Sequence, residues 1–428
     1  MRLKKKISIT FLLQSLGVSA TALTKIIIAQ RYGPEGQGYF SYYYSLVNLL
    51  SGIGLFGFPQ AFVYLINSKK LDPEWSKSFS FYYSFLVGLV GFAVLCIGTP
   101  AYLLELIDLR AMAFGALIIA SSATLLNGLY RAISLATQSI YIYNIISFAS
   151  PVILCLICVI WKPLDYQNLA IGIVLAAIIN SCLSSIFLKV KIFSTENFKI
   201  NLIRIKKAVS YGFWSFIPNI SIGLVTAFTY SILRQGGIAE ANAGYFSISL
   251  LFISFSTLPL SLITPVIFNT WSQQNNSGSM LNTYVKLSHF GTLIALVGCG
   301  LGIFLVEPVT KVVFGKAFLA SVSSTQILLV SLFAVYKSQL LSAALLAVGY
   351  PSKVAVGQLI KAILIISIMS LGFLNSATDA AIAWCLGEFC SMLYMSIVFY
   401  KNTNLPLLQV IGLHIPWLFK KINIKNNL

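Results

Sequence analysis

Residues 7–30 read ISITFLLQSLGVSATALTKIIIAQ, and residues 39–66 read YFSYYYSLVNLLSGIGLFGFPQAFVYLI. Each run is longer than the ~18–20 apolar residues that cross the hydrocarbon of a bilayer. Lys25 is the one charge in the first run, the second has none, and a short polar break, RYGPEGQG, separates them. In hydrocarbon a backbone amide must be satisfied within its own segment or in a closed barrel, so runs this continuous are helices. The same pattern repeats along the chain and predicts twelve spans, at 7–30, 39–66, 78–104, 112–136, 140–161, 168–190, 208–233, 243–271, 283–306, 321–348, 353–374 and 379–400. The fold class expected is an all-α polytopic membrane protein.

Composition agrees. Hydrophobic residues make up 58% of the chain, charged residues 9%, and the mean hydropathy is +0.87. A soluble chain of 428 residues needs more charge to keep its surface wet. The N-terminus, MRLKKK before the first apolar run, has the charge order of a signal peptide. The run is too long and lacks a small-residue cleavage site, so it reads as an uncleaved span. All seven cysteines fall within apolar spans. Cys155 and Cys158 have CxxC spacing, but VILCLICVIW offers no second pair, His or carboxylate, and neither a metal nor a redox role is expected. His289 and His414 stand outside any ligand cluster and carry no metal or catalytic expectation.

A net charge of +18 would suggest nucleic acid in a soluble protein. Here the basic residues sort by loop. With the N-terminus inside, cytoplasmic segments hold twenty Lys and Arg, from Arg2 and Lys4–Lys6 through Lys69, Lys70, Lys77, Arg131 and the cluster of 189–207 to Lys425. Outer loops hold six: Arg31, Arg110, Lys162, Arg234, Lys311 and Lys316. This positive-inside bias puts both termini in the cytoplasm and leaves no role for a nucleic-acid partner. The tail segment LPLLQVIGLHIPWLF, residues 405–419, is short and broken by Pro406 and Pro416; it is expected to lie along the interface.

An internal repeat organises the spans. Gly38-Tyr39-Phe40-Ser41 opens the second span and Gly244-Tyr245-Phe246-Ser247 opens the eighth; Pro59 and Pro265, Phe62 and Phe268 follow at the same offset of 206. Six spans per half is an even number, so the halves share orientation, as in the parallel repeats of alternating-access transporters. The expected domains are a six-span lobe at 1–190, a basic linker at 191–207, a second six-span lobe at 208–400 and a cytoplasmic or interfacial tail at 401–428, with the lobes around a central cavity.

The stretch AQRYGPEGQGYFSYYYSLVNLLSGIGLFGFPQAFVYLINSKK, residues 29–70, resembles the polysaccharide flippase family of the multidrug/oligosaccharidyl-lipid/polysaccharide exporter superfamily. The residues that carry the likeness are Arg31, Gly33, Pro34, Gly38 and Tyr39, then Gly52, Gly54, Gly57 and Pro59. The resemblance implies rocking of two lobes around a cavity to flip undecaprenyl-pyrophosphate-linked oligosaccharides for O-antigen or another surface polysaccharide. It also implies work as a monomer among membrane lipids, beside a polysaccharide polymerase and chain-length proteins.

A pyrophosphate headgroup cannot cross bare hydrocarbon, since even one charge at mid-bilayer costs about 3 kcal/mol or more. A flippase needs a wet cationic chamber. Its candidate cations are Lys337, Lys361, Lys25, Arg131, Arg31 and Arg234, with structural readings beside each: an ion pair for Lys337 and Lys361, snorkelling for Lys25, a positive-inside edge for Arg131 and loop charges for the rest. Glu388 is the one acid well inside a span, a partner for Lys337 or Lys361 or a protonatable site coupling transport to an H+ or Na+ gradient. Asn48, Asn127, Asn144, Asn180, Asn219 and Gln358 either line a sugar path or bond helix to helix. Gly52, Gly54, Gly57, Pro59 and Pro265 are hinge candidates, and no cofactor is expected. Competing functions are a multidrug or organic-cation exporter of the same superfamily, which would favour acidic cavity residues, and a polyprenyl-dependent glycosyltransferase or polymerase. The latter needs acid–base groups converging in a sizeable outer loop, and the outer loops here are short.

Overall fold

The computed structural model describes residues 3–67, 69–96, 111–137, 139–163, 165–190, 202–234, 239–273, 277–371, 376–403 and 405–413. The far end of the expected third span, Arg110, linker residues 191–201 and the tail beyond 413, with His414, lie outside them. Among the described residues the chain is helical, without a strand. Helix α1 (Leu3–Leu55) is followed by α2 (Phe58–Asn67), α3 (Pro73–Cys96), α4 (Ala111–Ala136), α5 (Ile140–Ile160) and α6 (Leu169–Phe187). The second half has α7 (Leu202–Arg234), α8 (Ala239–Gln273), α9 (Ser277–Val313), α10 (Ser321–Val330), α11 (Leu332–Ala347), α12 (Pro351–Ser370), α13 (Ala377–Thr403) and a short α14 (Leu407–Val410).

At 1.5 Å per residue α1 would be ~80 Å long, more than twice the hydrocarbon thickness. It is in fact two spans. Gly33 (φ 65, ψ −164) breaks the helix and Pro34 starts the next, where its missing N–H costs nothing. The polar break RYGPEGQG is thus helical on both sides of one glycine turn rather than a loop. Residue contacts show the reversal. The first arm runs alongside α5, with Asn144 donating to Thr10 Oγ1 at 3.0 Å and Arg31 reaching the Cys158 carbonyl at the other end. The second arm returns, its Gly54 carbonyl accepting from Tyr83 at 2.7 Å and its Leu55 packing on Gly128. It ends at Phe56 (φ 41) and Gly57 (φ 72), so the second expected span is broken where a hinge was expected at Gly57.

Nine described helices are long and apolar enough to cross a membrane. Dividing α1 at Gly33, joining α10 and α11 as one span bent by 46°, and adding α3, whose apolar run leaves the described residues, brings the number to the twelve expected. The helices form two lobes. The second arm of α1 and α2 pack with α3 and α4 through an aromatic stack of Phe58, Phe62, Phe79 and Tyr83. The lobes meet where α1 and α2 pack on α7 and α8.

Residues 405–413 tuck against the second lobe, where Val410 is wholly buried among Tyr284, Leu341 and Phe399. The physical reason is that Pro406 turns the chain back and α9 offers hydroxyls to the returning carbonyls.

Candidate functional site

The glycine-turn end of the lobe interface is a seam between repeat-related residues. A Cβ at Gly38 would run into the Glu240 carbonyl, and a Cβ at Gly244 would run into the Pro34 carbonyl. Pro34 and Glu240, like Gly38 and Gly244, are 206 apart, so the two contacts are one contact made twice. At the axis Ser41 Oγ and Ser247 Oγ, also 206 apart, lie 2.6 Å from each other. Gln37 donates to both, at 3.2 Å and 2.9 Å. The pairing extends outward: Tyr39 packs on Tyr166 at 5.7 Å and Tyr245 on Phe318 at 6.1 Å, each partner in a single 3-10 turn.

A polar clamp covers the same end. Arg234 pairs with Glu240 at 2.9 Å, and Tyr166 of the first lobe donates to the other Glu240 oxygen at 2.7 Å. The Arg234 guanidinium also lies 4.5 Å from the Tyr42 ring centre. The Glu240 bond, then burial, holds the Tyr166 hydroxyl above its ordinary range, so it stays a donor at any physiological pH.

Beyond the seam the helices that form it carry accessible polar groups. Tyr44 is 40% exposed, Asn48 and Arg131 are exposed, and so is Ser254, the repeat partner of Asn48.

The remaining expected site residues are held elsewhere. Lys25 donates to the Ser247 carbonyl at 3.3 Å, beside the seam. Arg31 donates to the last carbonyls of α5, Cys158 and Val159, capping a helix end that lacks partners of its own. Lys361 forms an ion pair with Glu388 and lies 5.0 Å from the Trp384 ring centre, and Trp384 donates to Thr229 at 3.2 Å. Lys337 is 1% exposed and donates to the Ser288 carbonyl and hydroxyl; among the described residues it has no carboxylate partner. The six expected cations therefore do not converge. Lys25 stands at the lobe interface, Arg234 clamps it, Arg131 is exposed on α4, and Lys337 and Lys361 are inside the second lobe. Among the hinge candidates, Gly52 has open space around it, Gly54 packs on Leu125, Pro59 lies in the first turn of α2 and Pro265 lies within an unbroken α8.

Removing one member of a buried pair strands the other. Glu388→Ala is expected to destabilise the protein by about 3–5 kcal/mol, and the double variant Lys361→Met/Glu388→Met to recover most of that. Thermal unfolding in detergent reads it; a Glu388→Ala protein as stable as the parent would show the pair to be dispensable.

A family model described as "Polysaccharide biosynthesis protein" matches residues 3–268, more than half of the chain. The chain belongs to the polysaccharide biosynthesis protein family. Among solved structures, an inward-facing multidrug resistance MATE family transporter of the MOP superfamily superimposes with a TM-score of 0.74 at 13% identity, over 92% of this chain and 98% of that one. An outward-facing conformation of such a transporter gives 0.66 at 12% identity, over 93% and 94%. A MOP superfamily transporter from Pyrococcus furiosus, described as having a binding pocket of reversed polarity, gives 0.65 at 13% identity, over 93% and 95%. Comparison with curated proteins finds no match.

This polysaccharide biosynthesis protein shares the fold of those transporters. Sequence reasoning missed Glu240, Tyr166 and Gln37 as parts of its seam, and Ser288 as the partner of Lys337. The 206-residue offset was the available signal for the seam, since it marked Gly38, Ser41, Gly244 and Ser247; nothing in it said that equivalent residues would touch.

Proposed function

We propose that this transporter flips undecaprenyl-pyrophosphate-linked oligosaccharide repeat units from the cytoplasmic to the periplasmic leaflet of a bacterial inner membrane, for O-antigen or another surface polysaccharide. The observation that carries this reading is the exposure of Tyr44 and Asn48 beneath a seam closed at one end, with Arg131 exposed on α4. A tyrosine, an amide and a guanidinium offer a stacking face, sugar hydrogen bonds and an oxyanion partner. By the loop-charge bias the closed end is the periplasmic one, which makes this the cytoplasm-facing state and agrees with the higher similarity to an inward-facing relative than to an outward-facing one. Glu388 remains the candidate for coupling to an H+ or Na+ gradient, through breakage of its pair with Lys361. The protein acts as a monomer, handing its cargo to a polymerase and chain-length proteins.

The test is leaflet exposure of the cargo. Depletion of the protein should leave undecaprenyl-linked repeat units inaccessible at the outer face. Arg131→Ala should cut surface polysaccharide at least tenfold at unchanged protein abundance, with Arg131→Lys recovering part of it. Normal glycan exposure in the depleted cells, together with new sensitivity to cationic dyes, would overturn the reading in favour of an organic-cation exporter.

A further inference from the structure

The tucked tail meets a set of donors. Tyr284, Ser288 and Thr292 stand one helical turn apart on α9, and all three hydroxyls face residues 410–411. Tyr284 donates to the Val410 carbonyl at 2.8 Å and Ser288 to the same oxygen at 3.1 Å, while Thr292 reaches the Ile411 carbonyl at 3.5 Å. Ser288 Oγ in turn accepts from Lys337 Nζ at 2.8 Å. Gly412, at φ +70, closes over the ammonium: a Cβ there would meet Lys337 Nζ and both oxygens of Ser288.

Three hydroxyls and an ammonium converge, and the acceptors the segment brings are two peptide carbonyls. The ammonium itself bonds to the Ser288 carbonyl and hydroxyl on α9 rather than to the segment, and among the described residues it has no carboxylate to balance it. The same donor set suits a phosphate oxyanion far better, since each bond to it would be charge-assisted. Leu407, Leu408 and Leu413 are 41%, 54% and 50% exposed on the segment's outer side, and Val410 and Gly412 alone enter the lobe fully.

We propose that residues 405–413 are a removable plug whose carbonyls stand in for a phosphate-bearing ligand, in a pocket of the second lobe formed by Lys337, Tyr284, Ser288 and Thr292. This pocket lies apart from Tyr44, Asn48 and Arg131, and the inference does not rest on the flippase reading. The ligand is a phosphate monoester, on a lipid headgroup or free in solution.

Hydrogen exchange and binding on the full chain in nanodiscs test it. The probes are phosphatidic acid, inorganic phosphate and, as the net-neutral control without a phosphate monoester, phosphatidylcholine. In the parent, phosphatidic acid is expected to speed exchange at 407–413 at least fivefold and leave the other helices unchanged. Gly412→Val, which forces the plug out, and Val410→Ala, which loosens it without touching the donors, should each bind phosphate probes at least tenfold more tightly. Lys337→Met added to either should abolish the gain. Response to phosphatidic acid alone assigns a lipid headgroup; response to inorganic phosphate as well assigns a small anion. If Gly412→Val fails to fold, Val410→Ala decides. No gain in either folded variant, with exchange at 407–413 unmoved in the parent, would overturn the plug.

Discussion

A transporter carrying Ser41→Cys and Ser247→Cys together is expected to stop when oxidised and to restart when reduced. The two native hydroxyl oxygens are 2.6 Å apart at the centre of the seam. A disulfide needs Cβ atoms ~3.5–4.5 Å apart, which facing side chains this close can meet with little backbone movement. The bond would fasten the lobes at the end they must open, and alternating access cannot proceed with one gate permanently shut. Surface polysaccharide output should fall more than about tenfold under oxidant and return with reductant, while each single cysteine variant behaves like the parent. Mass spectrometry of the linked peptides confirms the bond. Normal output from a fully cross-linked population would mean that this seam does not move in transport.

The converse experiment props the seam open. At Gly38 and Gly244 an added side chain would strike backbone of the opposite lobe, and backbone cannot swing aside as a flexible side chain can. Overpacking of this kind costs about 1–3 kcal/mol per site. At 1.4 kcal/mol per factor of ten, that alone moves a two-state equilibrium between roughly fivefold and 150-fold away from the closed seam. Gly38→Val and Gly244→Val are therefore expected to lower transport at least about fivefold, and Gly298→Ala and Gly300→Ala, where no atom lies within 4 Å of a new Cβ, to change nothing. An impermeant thiol reagent applied from the periplasm to a Ser45→Cys reporter should react faster in the valine variants. Equal labelling and equal output in all four would remove the seam from the gating mechanism.

Much of this fold is legible in the sequence because lipid leaves the backbone few choices. Apolar runs of span length dictate helices, and their spacing gives twelve. The turn at Gly33 was marked only as a polar break, because hydropathy cannot tell a loop from two helices hinged on one residue. The seam was half visible. An offset of 206 identifies equivalent residues, but whether they touch depends on how the second and eighth spans are rotated about their axes, and no local pattern encodes that rotation. The buried charges show the same division. Lys361, Lys337 and Glu388 stand out by depth, yet the choice of Lys361 over Lys337 for Glu388 is made by the packing of α12 on α13. Arg31 looked like a loop charge because the helix end it caps belongs to a segment more than a hundred residues away. The tail's contacts are not legible in its own sequence, because the hydroxyls that hold residue 410 lie on α9.

A surface that fits its own copy is what two identical subunits present to each other in a symmetric dimer. The reciprocal meeting of residues 38 with 240 and 34 with 244 has that self-matching character, preserved inside one polypeptide. A single six-helix ancestor bearing one such patch would already have possessed both sides of the closure. Duplication and fusion then needed to invent no second surface, and each half has since been free to specialise: one for the accessible wall, the other for the buried charges.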